Sequence, residues 1–196
     1  MKIRKAVILA GAITLALSSY AYAWIPTGLK WPTNVYTTVT SGGWFGNDWL
    51  SSKPDTCTKR VKKHAGIDLS LPANTPIYAT YWGTVQARFL SSRDGDDWGQ
   101  AVTISHGYGT SGNWWTSTYH HIDPVVNVGQ YVQRGQIIGY VHYTTAFPVH
   151  LHFGVRDASY SNVSNAGTLP QTACGGYPAF AEYFRDPYTL SYATAY

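Results

Sequence analysis

The run His150-Leu151-His152-Phe153 sets two imidazoles and two apolar side chains in strict alternation. In an extended strand, successive side chains point to opposite faces of the sheet. We therefore expect His150 and His152 to share one face, while Leu151 and Phe153 anchor the other face in the core. Because two imidazoles buried on one face need polar partners, the run predicts a strand that carries a polar site.

A second polar pair lies upstream, in His64-Ala65-Gly66-Ile67-Asp68. The separation of four residues would place His64 and Asp68 on one face of a helix. Gly66 and the β-rich flanks instead favour a turn that runs into a strand. Two imidazoles and one carboxylate form a ligand set that suits Zn²⁺, with a fourth position left open for water. We expect one zinc ion per chain, bound by side chains from these two stretches.

Further alternating stretches surround these two, separated by breaks rich in Gly, Pro or Asn. Such spacing is typical of strands, and no helical period precedes a single candidate helical turn at 179–184. The sequence predicts an all-β fold, a single compact antiparallel β-sandwich or partly open barrel with long loops around a zinc groove. The predicted strands are 35–40, 67–71, 77–80, 84–87, 101–105, 117–122, 136–141 and 150–155.

The first 23 residues are typical of a secretory signal peptide. A basic start precedes an apolar run at 6–17, and Ala21-Tyr22-Ala23 places small residues where a signal peptidase cuts. We expect cleavage before Trp24 and a secreted or periplasmic protein; an uncleaved anchor is the alternative. The apolar run is shorter than the roughly 20 residues that span a bilayer, so no membrane contact is expected after cleavage.

The charge balance gives little reason to expect a nucleic-acid partner. The chain has 14 basic and 10 acidic residues, and its first 23 residues hold three basic and no acidic ones. Removing that segment changes the net charge from +4 to about +1, 11 minus 10. With 12% charged residues, 16 Tyr and 8 Trp, the composition fits an exported β-rich protein rather than a disordered chain.

The chain has two cysteines, Cys57 and Cys174. In an oxidising compartment we expect them to form a disulfide that ties the C-terminal segment to the stretch before His64. Loop-closure entropy makes such a bond worth about 4–5 kcal/mol. A zinc site built on these thiolates is the weaker alternative, because neither cysteine is near the His motifs in sequence.

Two stretches, 91–99 and 107–115, are predicted to be functional loops. The first is acidic, and the second contains Trp114 and Trp115, which suit stacking on a sugar or a peptide. The alternative is that these two tryptophans cap the core.

In Tyr119-His120-His121, strand alternation puts Tyr119 and His121 on one face and His120 on the other. Alternation alone does not decide which imidazole faces the site. We interpret His106 and His142 as bystanders.

Several spaced motifs carry a family resemblance: His64-Ala-Gly-Ile-Asp68, Pro76-Ile-Tyr-Ala with Gly83-Thr-Val, Thr118-Tyr-His-His121-Ile, the run from Val128-Gly129-Gln130 to Gly135-Gln136-Ile-Ile-Gly139, and His150-Leu-His152-Phe153. In this order they resemble the lysostaphin-type, or LytM-domain, zinc metallopeptidases, which cut peptide cross-links in bacterial peptidoglycan. The resemblance runs from about residue 35 to residue 155, with a weaker echo at Asp186-Pro187.

The resemblance implies a role for each matching residue. His64, Asp68 and His152 match the zinc ligands, and His150 matches a catalytic imidazole. His121 matches the His that ends the family's Tyr-x-His motif, which leaves His120 on the variable middle position. The three-residue gap between His64 and Asp68 is similar to the lysostaphin branch. The implied partner is a peptidoglycan peptide, and we expect a monomer.

The expected domain organisation is a signal peptide at 1–23, an irregular lead-in with the first strand at 24–59, a peptidase core at 60–156 and a C-terminal extension packed on the domain at 157–196. The family often has an Arg after the early Phe-Gly, where this chain has Asn47, and Gly-Pro before the His-x-His pair, where it has Phe147-Pro148-Val149. Both departures concern the groove wall and no expected ligand.

Three other functions remain open. A non-catalytic wall-binding or activator module of the same fold would bind peptidoglycan without cutting it. An exported peptidase that acts on proteins would not need wall peptide with D-amino acids. A zinc-binding β-sandwich lectin, suggested by the Trp and Tyr content, would bind sugar without releasing peptide.

Overall fold

The computed structural model describes residues 27–35, 37–49, 62–93, 96–107, 114–158, 160 and 184–193. The expected signal segment, both cysteines and most of the candidate helical turn lie outside these residues. The described part contains no α-helix. Nor does it contain a helix that is long and apolar enough to cross a membrane.

Eleven strands and one short 3₁₀ turn make up the regular structure of the described residues. They are β1 (Asp48–Trp49), β2 (Lys62–Lys63), β3 (Ile67–Ser70), β4 (Pro76–Tyr78), β5 (Gly83–Arg93), β6 (Asp96–His106), β7 (Trp115–Pro124), β8 (Tyr131–Val132), β9 (Ile137–Val141), β10 (His150–Arg156), β11 (Phe184–Arg185) and the 3₁₀ turn Pro187–Thr189.

Nine of these strands form one open antiparallel sheet, and β1 pairs with β2 in a separate ribbon. The main path of the sheet runs β11-β10-β7-β6-β5-β8. On the side of β10 that faces away from β7, its first half pairs with β3 and its last two residues pair with β11. Strand β9 joins β7 to β4. The predicted all-β antiparallel class is confirmed, and the sheet does not close into a barrel.

The apolar face of β10 lies in the core, as its alternation predicts. Leu151, Phe153 and Val155 are fully buried and belong to one cluster with residues from most of the other strands. Burying a side chain of this size stabilises the fold by about 1.5–3 kcal/mol. Opposite them, His152 is buried on the face that carries polar groups. The two faces of β10 therefore fix its orientation, with the core on one side and the polar site on the other.

Three local predictions need correction. The predicted strand 35–40 is reduced to a single bridge between Val39 and Leu69, flanked by backbone hydrogen bonds, with Tyr36 outside the description. The predicted loop 91–99 is the end of the long β5–β6 hairpin, since the ladder continues to Arg93 and Asp96. Phe184, the last residue of the candidate helical turn, begins β11. The loop prediction at 91–99 rested on polar residues, and it was wrong because the tip of a two-stranded hairpin tolerates such residues as well as a loop does.

Candidate metal centre

Strand register sets the candidate site. Across the β3–β10 ladder, His152 lies opposite Asp68, and across the β10–β7 ladder it lies opposite His120. Directly opposed residues of an antiparallel pair project from the same face with their Cβ atoms about 4.5–5.5 Å apart. Asp68, His152 and His120 therefore form a row across three strands.

Three of the predicted ligand atoms meet at one point. Nδ1 of His152 lies 2.9 Å from Oδ1 of Asp68 and 2.9 Å from Nε2 of His64. Nε2 of His64 lies 3.2 Å from the same Asp68 oxygen. All three residues are buried, with 2% to 8% of their surface exposed. The structure thus brings together the three side chains that the resemblance assigns to zinc.

A turn at 40–47 braces the segment that carries two of these ligands. The backbone N–H of His64 donates to Asn47 O at 2.9 Å, and His64 O accepts from the N–H of Gly46 at 2.8 Å. The N–H of Asp68 donates to Gly43 O, and Asp68 O accepts from the N–H of Thr40. Both ligand-bearing residues are therefore fixed through their main chains.

Gly66 allows the same segment to lie against β10. A Cβ atom at this position would sit 2.4 Å from Phe153 O and 2.9 Å from Nε2 of His152. Gly66 does not have a left-handed φ angle. Its function here is close approach of two backbones rather than the sharp turn that the sequence suggested.

Backbone carbonyls fix the tautomers of three imidazoles. Nδ1 of His64 lies 3.1 Å from Trp44 O, and Nδ1 of His150 lies 2.7 Å from Pro148 O. Nδ1 of His121 lies 3.0 Å from Trp98 O. Because a carbonyl only accepts, each Nδ1 carries the hydrogen and each neutral ring has its lone pair on Nε2. Sequence reasoning missed these three carbonyls, and no pattern could have identified them, since every residue has one.

Burial and mutual contacts shift the pKa values of the three predicted ligands in different directions. Burial opposes ionisation of Asp68, but its contacts with the His152 and His64 imidazoles hold the pKa of this carboxyl well below its ordinary range. Burial also lowers the pKa of His152, which Asp68 only partly offsets. For His64 the contributions from Asp68 and from the Trp44 and Gly43 carbonyls outweigh burial, so its pKa is raised. The site therefore holds a buried carboxylate.

The other two predicted site residues, His121 and His150, lie side by side at the edge of this cluster. Their ring centroids are 4.7 Å apart, and Nε2 of His150 lies 3.7 Å from Oδ1 of Asp68. Burial, followed by the nearby His150, lowers the pKa of His121 to about 3, so its ring is neutral near pH 7. Phe147 packs against both rings, with centroid distances of 4.8 and 5.2 Å, and was not predicted as part of the site.

The alternation argument for β7 is wrong at His121. Tyr119 is fully buried in the core, whereas His121 lies on the site face with His150. The cause is a β-bulge, since only Ala101 lies between the partners of Tyr119 and Ile122 on β6. His121 takes a left-handed conformation with φ +61°, and the extra residue returns its side chain to the face of His120. Both imidazoles are shielded from solvent, since His120 is 5% exposed and His121 is partly buried.

His120 lies beside His152, and the two neighbouring tryptophans differ in their burial. The ring of His120 lies 5.1 Å from that of His152, and Nε2 of His120 has no hydrogen-bond partner among the described residues. Trp115 is buried and stacks on His106 at 3.8 Å, whereas Trp114 is 38% exposed. The core-capping alternative therefore holds for Trp115 and not for Trp114.

The donor set fits a zinc ion. Ligands bound to Zn²⁺ at 2.0–2.1 Å in tetrahedral geometry are about 3.3 Å apart, close to the separations among His64, Asp68 and His152. In the described part of the chain, the ion-pair partners of the buried Asp68 are imidazoles alone. A buried carboxylate with no Lys or Arg partner is costly, and a divalent cation removes that cost.

A profile described as peptidase family M23 matches residues 62–165, more than half of the chain and all five predicted site residues. The chain belongs to peptidase family M23. This confirms the resemblance to lysostaphin-type peptidases that the spaced motifs carry. The M23 match excludes Trp44, whose carbonyl orients His64.

Among similar proteins, this M23 chain is 37% identical over 91 residues to the uncharacterized lipoprotein YgeR of Escherichia coli K12, covering 46% of this chain and 34% of YgeR. It is 31% identical over 118 residues to lysostaphin of Staphylococcus simulans, covering 58% of this chain and 22% of lysostaphin. It therefore spans only a part of the length of either relative. A solved zinc-containing peptidase from Vibrio cholerae is 27% identical, with 65% of this chain and 36% of that chain covered and a TM-score of 0.48.

Proposed function

We propose that this M23 family member is an exported zinc metalloendopeptidase that hydrolyses peptide bonds in the stem peptides or cross-links of bacterial peptidoglycan. The observation that supports it most is the convergence of His64 Nε2, Asp68 Oδ1 and His152 Nδ1, with two further imidazoles beside them. We assign His64, Asp68 and His152 to the metal, and His121 and His150 to proton transfer.

A zinc ion held by the three ligands would supply Lewis acidity, polarising a peptide carbonyl and making water a better nucleophile near neutral pH. His121 and His150 contribute the proton chemistry. Their Nδ1 atoms are occupied by backbone carbonyls, so each neutral ring presents an unprotonated Nε2. One Nε2 accepts the proton of the attacking water, and protonated imidazole returns it to the leaving amine.

The imidazole pair also stabilises the oxyanion of the tetrahedral intermediate, since a protonated ring beside the reacting carbon is a preorganised donor. The half-buried Phe147 packs against both rings and shields the pair. The peptidoglycan substrate rests on the family alone. So does a location outside the cytoplasm, with the predicted signal segment 1–23 in its support.

The test is incubation of the purified protein with isolated peptidoglycan, with and without a strong zinc chelator, followed by mass spectrometry of the released fragments. The proposal predicts chelator-sensitive new amino termini, restored by added zinc, and the fragment masses identify the bond. His152→Ala is the matched inactive control. Release of no peptide by protein that still sediments with the wall would overturn the proposal in favour of a non-catalytic binding or activator module.

A further inference from the structure

His142, interpreted from sequence as a bystander, contacts the surroundings of His121 from two directions. We propose that His142 and Asp97 form a clamp that positions His121, an inference that rests on the proposed catalytic function of His121. Asp123 supports the clamp from the other side of the His142 ring. These three residues are called the His142 clamp below, and none of them is among the expected ligands or proton-transfer groups.

The first contact is to the main chain of His121. The backbone N–H of His142 donates to His121 O at 2.9 Å. His121 has the left-handed φ of +61°, a conformation that is unfavourable for a non-glycine residue and that the surroundings must hold in place. At the next residue, β7 changes its neighbour from β10 to β9, where Ile122 pairs with Val141. His142 therefore anchors the bulge at the point where the sheet divides.

The second contact leads to the side chain of His121. Its Nδ1 donates to Trp98 O at 3.0 Å, and Trp98 lies in a β-bulge of β6, between Asp97 and Gly99. Oδ1 of Asp97 accepts from the N–H of Gly99 at 3.0 Å and lies 3.3 Å from Nε2 of His142. The carbonyl that orients His121 is thus flanked by two residues of the bulge, Asp97 and Gly99, that both lie close to His142.

The bulge also packs directly on the His142 side chain. Gly99 has φ +71°, and a Cβ atom there would lie 2.7 Å from Cβ of His142. On the opposite side of the ring, Nδ1 of His142 donates to Oδ1 of Asp123 at 2.8 Å. Asp123 therefore holds the ring on one side, and on the other side Asp97 Oδ1 approaches Nε2, which makes no hydrogen bond among the described residues.

The exposure of the clamp residues indicates that they position His121 and contribute little to the stability of the fold. The His142 side chain is 14% exposed, whereas those of Asp97 and Asp123 are 78% and 55% exposed. Ion pairs this exposed contribute little to the stability of the fold. A shift of the Trp98 carbonyl, in contrast, releases the His121 ring, and catalytic groups must be held to within about 0.5 Å. We expect the loss of the clamp to lower kcat while the fold remains intact.

The test uses the full chain labelled with ¹⁵N-histidine. Long-range ¹H–¹⁵N spectra assign the tautomer of each ring, and peptide release from peptidoglycan fragments gives kcat and KM. The variants are Asp97→Ala, which removes the oxygen that accepts from the N–H of Gly99, and Asp97→Asn, which keeps an acceptor oxygen there. His142→Ala removes both side-chain contacts. Gln130→Ala is the control. Like Asp97, Gln130 accepts a hydrogen bond from a main-chain N–H, that of Asn127, but it lies near β8 at the far edge of the sheet.

The wild type is expected to show a single His121 tautomer with hydrogen on Nδ1. Asp97→Ala and His142→Ala should give mixed or exchange-broadened His121 signals and a kcat about 10-fold lower, with KM changed less than about twofold and zinc content unchanged. Asp97→Asn should restore most of the rate, and Gln130→Ala should behave as wild type.

Unchanged His121 spectra and unchanged kcat in both Asp97→Ala and His142→Ala would overturn the clamp. A drop in melting temperature that matches that of Gln130→Ala, with the His121 tautomer intact, would also overturn it. If the wild type cleaves no peptide, the proposed function fails, but the His121 spectra of the variants still decide whether the clamp holds the ring.

Discussion

Nδ1 of His152 lies 2.9 Å from Oδ1 of Asp68, although 84 positions separate the two residues in the chain. They meet because they are direct partners in the β3–β10 ladder. A slip of one residue in this register would turn every side chain of one strand to the opposite face. Leu151 and Phe153, buried on the core side of the same strand, oppose such a slip. The apolar anchors of β10 therefore also hold the site together.

His152→Ala is expected to abolish stoichiometric zinc binding and peptide release together, because it removes one of the three proposed ligands, the one whose Nδ1 lies 2.9 Å from Asp68. Metal content after dialysis, measured by mass spectrometry, is the readout. His106→Gln serves as the control, since it replaces a buried imidazole outside the site and should keep its zinc. Zinc retained by His152→Ala at full occupancy would contradict the ligand assignment.

His121→Ala is expected to retain zinc and to lower kcat about 10²- to 10⁴-fold, the usual contribution of a general acid–base group. His121→Gly should lose the same activity and yet be more stable than His121→Ala by about 1 kcal/mol, because glycine accepts the left-handed φ of +61°. Urea denaturation compares the two variants. Near-normal turnover in His121→Ala would show that this imidazole is not catalytic.

Gly66→Ala is expected to destabilise the fold by about 1–3 kcal/mol and to weaken zinc binding. The added methyl would lie 2.4 Å from Phe153 O, a backbone atom that cannot rotate away, and would push β3 from β10. Gly107→Ala is the matched control, because its methyl would meet only the Trp114 ring, at 3.3 Å. Competition with a chelator measures the zinc affinity, and equal affinities in the two variants would contradict the close-approach argument.

Stability is expected to fall with decreasing pH, in part through His106. Burial lowers the pKa of His106 to about 3, partly offset by its hydrogen bond to Trp82 O, whereas the unfolded chain titrates near 6.5. Between these values the unfolded state binds the extra proton. The stability that comes from the neutral ring is therefore present above about pH 6.5 and is lost as the pH falls toward 3.

His106→Gln isolates this contribution, because the site imidazoles are common to both proteins. From pH 7 to pH 5 the free energy of unfolding should fall by about 2 kcal/mol more in the wild type than in the variant. Urea titrations at the two pH values give the difference. An equal pH dependence in the two proteins would mean that His106 binds its proton over the same pH range in the folded and the unfolded state.

Short-range patterns predicted much of the site. Alternation in β10 placed His150 and His152 away from the core, and the spaced motifs assigned His64 and Asp68 before any strand pairing was known. Alternation failed at His121 because it assumes a regular strand, and one extra residue in a bulge reverses the face of everything after it. The same short-range view missed Phe147 and Gly66, whose contacts are with distant parts of the chain.

The sequence by itself determined the all-β class, the strand that carries the paired imidazoles and the chemical character of the ligand set, because side-chain periodicity and donor type are local properties. Only the tertiary structure decided that Asp68 faces His152, that His121 rather than Tyr119 reaches the site face, and that the carbonyls of Trp44, Trp98 and Pro148 orient three imidazoles. It also gave His142 its place beside His121. These features depend on strand register, a bulge and main-chain atoms, and none of the three can be deduced from the identity of a single residue.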